Sequence, residues 1–194
     1  MKGKSLWLII GGIVLAAGIW FALQYNALIG HDEAVKKSFS ELQATYQRRI
    51  DLVPNLVNVV KANAAFEQTV LEQVAEARNI AEKVTNTALP QGAGYEQMEQ
   101  AQAGLVNSAN RLLAVVENYP NLKATEAFLL LQTQLTGTER RVKLARKDLN
   151  AAVQAYNVKV RQFPSSLAAS ILGYKAKTGF QADAGTDKVP EIKF

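Results

Sequence analysis

Cysteine is absent from this chain, and histidine occurs only once, at His31. Without cysteine, neither a lipoprotein attachment site nor a disulfide framework can form. A nucleophilic serine needs a base beside it, and a single imidazole effectively excludes a catalytic triad. A zinc site would have to consist of carboxylates alone, and the Glu-x-x-His pair of di-metal helical bundles is missing. The sequence therefore predicts no catalytic residue, no metal ligand and no cofactor.

Two further kinds of chemistry have no candidate residues. No glycine-rich loop precedes a helix with a Lys-Ser or Lys-Thr pair, so a phosphate cradle is not expected. Glu72 and Glu76 could in principle act as acid and base. Together with Arg78 and Lys83 they indicate instead a solvated, ion-paired helix face.

One dense cluster of positive charge is present, with Glu139 and Asp148 interleaved and no aromatic side chain for base stacking. Nucleic acid is therefore not an expected partner. The cluster predicts either a solvated face or a modest positive patch for an anionic protein or lipid headgroup. Its members are Arg140, Arg141, Lys143, Arg146 and Lys147.

A single long apolar run is present, from Ser5 to Gly30, and it carries no charge. About 20 apolar helical residues cross the roughly 30 Å core of a bilayer. Trp7 lies near one end of the run and Trp20 and Tyr25 near the other, where amphipathic rings prefer the headgroup level. Residues 1–30 are therefore predicted to form a transmembrane anchor. Its characteristic residues are Leu6, Trp7, Gly12, Ala16, Gly18, Trp20 and Leu23.

A secretory signal peptide is the alternative, since it also has a basic start and an apolar core. The run is longer than a usual signal core, and residues 20–24 offer no convincing pair of small residues for a peptidase, which favours an anchor. Lysines near the two ends of the run are almost balanced in number. Because Lys2 and Lys4 crowd directly against the helix, an N-terminus inside and a domain outside is expected.

The rest of the chain has the composition of helices and predicts essentially no sheet. Pro54 falls inside a first stripe of apolar residues spaced three and four apart, and the stripe keeps its phase through it. This favours one kinked helix, with a break at Arg49 to Asp51 and Asp51 as N-cap as the alternative. The stripe consists of Phe39, Leu42, Tyr46, Ile50, Val53, Val57, Val60 and Ala64.

Later elements follow from turn residues and from the same periodicity. The predicted elements are a loop at 85–94, a helix at 95–117, a turn at 118–121, a long helix at 124–163 and a short helix at 167–172. Residues 31–180 are predicted to form one helical domain and 181–194 a flexible tail. The inner stripe of the long helix is predicted to be Phe128, Leu131, Leu135, Thr138, Val142, Ala145, Leu149, Ala152, Tyr156, Val160 and Phe163.

Several strings resemble the signature of the LemA family of bacterial membrane proteins. Tyr25-Asn26 comes just after the apolar run, and residues 47–57 read QRRIDLVPNLV. Further matches are Glu67, Ala77-Arg78, the string ENYPNLKA at 117–124, Tyr156-Asn157 and Phe163-Pro164. The similarity extends over nearly the whole chain to Phe180, and the combination is highly specific.

The resemblance implies a single anchor in the bacterial inner membrane that carries an antiparallel bundle of three to four long helices. It favours a break near Pro54. The topology usual for the family places the small N-terminus outside, whereas the charge argument places the helical domain on the periplasmic or outer side. No reaction is established for the family, so no catalytic residue can be carried over.

The polar residues within these matches are either caps and turn residues or the lining of a groove for a partner peptide. They are Tyr25, Asn26, Arg49, Asp51, Pro54, Asn55, Glu117, Tyr119, Pro120, Tyr156 and Asn157. The expected function is a membrane-anchored scaffold or adaptor without catalysis, with membrane lipid, other envelope proteins or a second copy as partners. Gly12 with Ala16, and Gly18 with Ala22, favour a homo-oligomer. A ligand-sensing or peptide-binding module is the alternative, and an enzyme is the competing class.

Overall fold

The computed structural model describes the backbone of residues 2–61 and 68–180, and the side chains of 7–61 and 68–180. All regular elements in these ranges are helices, which confirms the all-α class. They are α1 (Lys2–Lys61), α2 (Gln68–Thr85), α3 (Gly94–Val116), α4 (Pro120–Lys123), α5 (Glu126–Arg161) and α6 (Ser165–Leu172). Ala64, Glu67 and the predicted tail at 181–194 lie outside the described residues, as does the side chain of Leu6.

Helix α1 runs without interruption from the apolar run through Pro54. A break at Arg49 to Asp51 is therefore wrong, and Asp51 is an exposed residue inside the helix rather than its N-cap. Pro54 has no amide proton to donate to the carbonyl of Ile50, which removes one helical hydrogen bond. Ile50, Val53 and Val60 are nevertheless buried on both sides of the proline, because the stripe keeps its phase.

Helices α3, α5 and α6 begin and end within two residues of the predicted positions, whereas α4 overlaps the stretch 118–121 that was predicted as a turn. The end of α5 is informative. Phe163 was predicted on the inner stripe of α5, but its side chain is 76% exposed. Pro164 disfavours helical backbone at the residue before it, and α5 ends at Arg161. Phe163 therefore lies in the turn that leads to α6.

A second turn, before α3, contains Gly92 at φ 53, a left-handed conformation in which glycine carries no Cβ penalty.

The chain divides into two compact units, Met1–Arg48 with Gly137–Lys177 (unit 1) and Arg49–Thr136 with Thr178–Phe194 (unit 2). In unit 1 the two long helices are antiparallel, because Tyr46 contacts Arg146 whereas His31 lies beside Lys159 and Gln162. Its buried residues include Leu28, Val35, Phe39, Leu42, Tyr46, Val142, Leu149, Val153, Tyr156, Val160, Ala168 and Ala169.

Helices α2 and α3 form an antiparallel hairpin within unit 2. Thr85 meets Gln102 next to the connecting loop, and Gln73 meets Arg111 farther away. One core cluster contains Ile50, Val53, Val74, Ala81 and Leu105. The other contains Leu56, Val60, Leu112, Val116, Leu122 and Phe128.

Candidate functional site: an apolar helix and two polar clusters

The first half of α1 presents its apolar side chains outward. An 18-residue stretch has a mean hydropathy of 2.0, and none of it is buried. Trp7 is 74% exposed and Leu8 78%. A core helix of the same composition would be covered by its neighbours. By length and composition this helix can cross a membrane, which is the arrangement predicted for residues 1–30.

Burial along α1 begins on one face only, before the apolar run ends. Trp20, Phe21 and Gln24 are partly buried, and Leu28 is fully buried. Tyr25 and Asn26 lie on the exposed side of the same turn. The folded part of unit 1 therefore reaches back along the last turns of the apolar run.

Tyr156 and Asn157 bind the segment that follows α6. The amide nitrogen of Asn157 donates to the carbonyl of Lys177, and its amide oxygen accepts from the N–H of Lys177, both at 2.8 Å. The Tyr156 hydroxyl donates to the carbonyl of Lys175 at 2.9 Å. Together these bonds satisfy backbone groups that form no helical hydrogen bond. This pair thus fixes an extended segment of the same chain.

An ion pair fixes the same segment to α1. Lys177 Nζ lies 2.6 Å from Asp32 Oδ1, and both side chains are about five-sixths buried, with 15% and 16% exposed. Lys36 contacts the other oxygen of Asp32 at 2.9 Å. Burial by itself raises the pKa of Asp32, but the hydrogen bonds from Lys177 and Lys36 outweigh it, so the pKa lies below 3.8. Asp32 therefore stays ionised at neutral pH.

Tyr156 also contacts this ion pair. The ammonium of Lys177 lies 5.0 Å from the centre of its ring, within cation–π range. Burial and, secondarily, the negative charge of Asp32 raise the pKa of the Tyr156 hydroxyl. The hydroxyl therefore remains a hydrogen-bond donor at neutral pH.

Arg49 belongs to a second polar cluster, inside unit 2. Its guanidinium donates to Gln102 Oε1 at 3.3 Å, and Gln102 Nε2 donates to the Thr85 hydroxyl at 3.0 Å. All three side chains are buried. The cluster connects α1, α2 and α3 through polar groups that would be costly to bury without partners.

Two other family-motif residues of unit 2 lie at the start of α4. Tyr119 packs against the cluster of Leu112 and Phe128 and precedes α4, and Pro120 occupies the first position of that helix, where its missing N–H is tolerated. Asn55 and Glu117 are exposed. The family-motif residues described in unit 2 thus include a residue of the turn before α4, a proline at the first position of that helix and a member of one buried polar cluster.

Phe180 and Thr178 make contacts within unit 2. The ring of Phe180 meets the edge of Tyr95 with centroids 4.7 Å apart, and the hydroxyl of Thr178 accepts from the N–H of Gly92 at 2.8 Å. Burial raises the pKa of Tyr95 to about 12. Nothing in the sequence pattern indicated the contact between Phe180 and Tyr95.

A shallow cavity of about 410 Å³ lies on unit 1 and is open to solvent. Its lining comprises His31, Ala151, Gln154, Ala155, Val158, Lys159 and Gln162. Elsewhere, among the described residues, no group of three or more His, Asp or Glu side chains is arranged to hold a metal ion.

Sequence reasoning did not single out the residues that pair with Arg49 and Asn157, nor the ion pair beside them. Asp32 and Lys177 form their ion pair between distant parts of the chain, and no spacing rule could connect them. Gln102 offered a weak signal, because a polar side chain occurs on the inward face of α3 between Met98 and Leu105.

The all-helical fold and the uncovered apolar helix define the class of this molecule, a membrane-associated helical protein. The model of the LemA family matches residues 38–194. Since that match covers most of the chain, the chain belongs to the LemA family.

Magnetosome proteins are among its relatives. It is 27% identical over 184 residues to magnetosome proteins MamQ 2 and MamQ 1 of Paramagnetospirillum magneticum, with 85% of this chain and 67% of theirs covered. It is 27% identical over 172 residues to magnetosome protein MamQ of Magnetospirillum gryphiswaldense, with 79% and 63% covered. Neither the family description nor these names denote an enzyme.

Proposed function

We propose that this protein is a single-pass membrane scaffold whose helical domain acts through contacts with other proteins and with copies of itself. The observation that carries this proposal is the continuity of α1. The same helix presents an uncovered apolar surface in its first half and contributes Leu28, Val35 and Leu42 to the core of unit 1. The anchor and the core of this unit are thus parts of one element.

A contact surface for a partner lies on the exposed face of α5 in unit 1. Leu144 is 58% exposed and Val158 55%, and Ala151 lies midway between them at spacings of seven. Residues seven apart lie on nearly the same side of a helix. Exposed cations accompany this strip, which favours a partner with an acidic surface. They are Arg140, Arg141 and Lys147. Arg146 points inward instead, and its Nε donates to the Tyr46 hydroxyl at 2.8 Å.

We propose no catalytic role. His31 is the only imidazole, and Tyr156, Asn157, Arg49 and Asp32 are engaged in hydrogen bonds that hold the fold. Family membership and the names of the relatives support a function of this kind without a reaction.

Extraction of membranes with alkaline carbonate tests the anchor. The full chain should remain in the membrane fraction, because the apolar area buried by a spanning helix exceeds that of any peripheral attachment. Release of a form lacking the residues before Gln24 would support a cleaved signal instead. A reporter fused after Phe194 tests orientation, and activity only in the cytoplasm would contradict a domain on the outer side of the inner membrane.

Site-specific photo-crosslinking in intact membranes tests the partner surface. A photoreactive residue at Leu144 should give discrete crosslinked products, identified by mass spectrometry. A matched position is Lys143, which is also exposed but lies about 100° around the helix. Equal crosslinking at the two positions, or none at Leu144, would contradict a specific contact on this face.

The cavity beside His31 favours a second candidate function, a module that senses a small ligand. Its volume of about 410 Å³ falls within the range of ligand sites, and Gln154, Lys159 and Gln162 supply polar groups. The cavity is open to solvent and would leave a bound ligand largely exposed, which favours the scaffold function over ligand sensing. A ligand that raises the melting temperature of the full chain, but not of a Gln154→Trp variant, would support sensing.

A further inference from the structure

Large apolar side chains face outward from α6 and from the turn before it. Phe163 is 76% exposed, Leu167 54% and Ile171 75%. The inward face of the same helix carries the small residues Ser165, Ala168 and Ala169. This distribution reverses that of an ordinary surface helix, whose large apolar residues face the core. An exposed apolar surface of this kind marks a contact with something outside the folded unit.

Both ends of α6 are held at the end of α5. The Ser165 hydroxyl lies 2.7 Å from the carbonyl of Lys159 and 2.8 Å from that of Gln162. Beyond α6, the carbonyl of Lys175 accepts the bond from the Tyr156 hydroxyl. Helix α6 therefore cannot lie far from the last two turns of α5.

Along the axis of α1, the end of α5 lies at the same level as the end of the apolar run. His31 lines the same cavity as Lys159 and Gln162, and Asp32 binds Lys177 just after α6. With a rise of about 1.5 Å per residue, His31 is only about 12 Å along the axis from Leu23, an apolar residue that is 61% exposed. The exposed face of α6 thus lies at the end of unit 1 from which the apolar part of α1 extends.

We propose that α6 is a membrane-contact element whose side chains Phe163, Leu167 and Ile171 enter the boundary between lipid headgroups and acyl chains. This inference rests on the proposed membrane anchor, because α1 must bring the bilayer surface to this level. Exposed basic residues accompany the patch at both ends, Arg161 before α6 and Lys175 after it. Cations beside an inserted apolar face are the pattern of interfacial helices, and they favour anionic lipid.

Continuity of the two apolar surfaces favours lipid over a second copy or another protein. The bilayer that covers Leu23 also reaches the level of α6, so no additional component is needed to remove Leu167 and Ile171 from water. Lipid contact also accounts for the partial burial of α1 from Trp20 onward, because a unit seated in the interface overlaps the last turns of its own anchor.

The absence of cysteine allows a direct test with the full chain, because any introduced thiol can be labelled uniquely. Single variants Leu167→Cys and Ile171→Cys carry an environment-sensitive fluorophore in vesicles of mixed zwitterionic and anionic phospholipid. Leu23→Cys reports the anchor. Ser40→Cys, exposed in the same unit and about 25 Å along α1 from Leu23, reports a surface away from α6 and away from the proposed partner strip on α5. Quenching is measured with spin-labelled lipid and with aqueous iodide.

Spin-labelled lipid is expected to quench labels at 167 and 171 several-fold more than the label at 40, with iodide showing the reverse order. Removing the anionic lipid should weaken the quenching at 167 and 171. A quenched label at 23 together with iodide-accessible labels at 167 and 171 would overturn the role of α6 and leave the anchor intact. An unquenched label at 23 would overturn the anchor itself. Labels at 167 and 171 shielded from both quenchers would assign the patch to a protein partner.

Discussion

At the scale of single residues, Tyr156 and Asn157, two polar positions of the family motif, bind the chain's own backbone. Asn157 is the clearest case, because one side-chain amide satisfies both the N–H and the carbonyl of Lys177. A carboxylate in its place could accept but not donate, and a shorter side chain would not reach. These two hydrogen bonds to the backbone explain the asparagine at this position, and no catalytic role is needed to account for it.

Replacing Asn157 with alanine should lower the free energy of unfolding by about 1–3 kcal/mol, since two partly buried backbone groups lose their partner. Denaturant titration of the full chain in mild detergent measures this loss. Asn110→Ala is the control, because Asn110 is an exposed helical asparagine whose loss should change stability by less than about 0.5 kcal/mol. Equal effects of the two variants would contradict the assignment.

The ion pair of Asp32 makes a prediction about pH. A carboxyl whose pKa is lower in the folded than in the unfolded chain stabilises the fold above its unfolded pKa. That contribution is lost as the pH falls through the folded value. The stability difference between the natural chain and Asp32→Asn should therefore be constant from about pH 8 to about pH 5 and shrink below about pH 4.

Thermal unfolding at several pH values measures this difference. Glu33→Gln is the matched control, since Glu33 also contacts Lys36 but is 62% exposed, and exposed pairs contribute little. A difference between the natural chain and Asp32→Asn that grows toward acid pH would contradict the predicted sign.

At the scale of elements, Pro54 shows how side-chain burial can override a local preference. Proline in a helix interior costs about 3 kcal/mol relative to alanine. Unit 2 tolerates it because Ile50, Val53, Leu56 and Val60 place a continuous apolar face in its core. The helix is thus maintained by packing and not by its own hydrogen bonds at this position.

Pro54→Ala should therefore stabilise the protein by about 1–3 kcal/mol, because it restores a helical hydrogen bond and removes a steric clash. The melting temperature should rise by about 2–4 °C for each kcal/mol. Asn55→Ala, at the next and exposed position, controls for helix propensity alone. If a helix began near Pro54, proline would be favourable there, and its replacement would be neutral or destabilising.

At the scale of the whole molecule, the small residues in the apolar part of α1 predict self-association. A Cβ added at Gly12 or Gly18 meets nothing within 4 Å, so leucine at either position fits a single copy of the chain. Larger side chains there should separate helices that approach closely in an oligomer. Gly12→Leu and Gly18→Leu are expected to shift the full chain in mild detergent from oligomer toward monomer.

Native mass spectrometry measures the oligomeric state. Ala17→Leu is the matched control, because Ala17 is exposed and lies at least about 100° around the helix from Gly12, Ala16, Gly18 and Ala22. A monodisperse monomer of the natural chain would contradict self-association. An oligomer that tolerates both glycine variants would contradict an interface in the apolar part of α1.

Local sequence patterns determined the helical class, the apolar run, most helix ends and the inner stripes, because apolar periodicity and turn residues act over a few neighbouring positions. Residues such as Leu42, Ile50 and Leu149 are buried as the three-and-four spacing predicts. The family could be identified from short strings for the same reason, since each string is contiguous.

Tertiary structure alone decided what the motif residues contact. Asp32 with Lys177, Arg49 with Gln102, and Asn157 with the backbone of Lys177 are pairs that folding brings together from distant positions, and no local spacing encodes them. The exposure of Phe163 was decided in the same way. Its spacing continued the inner stripe, but the helix ended before it, and the packing of α6 turned large apolar side chains outward. Burial depends on which surfaces meet, and the sequence by itself specifies only which surfaces are apolar.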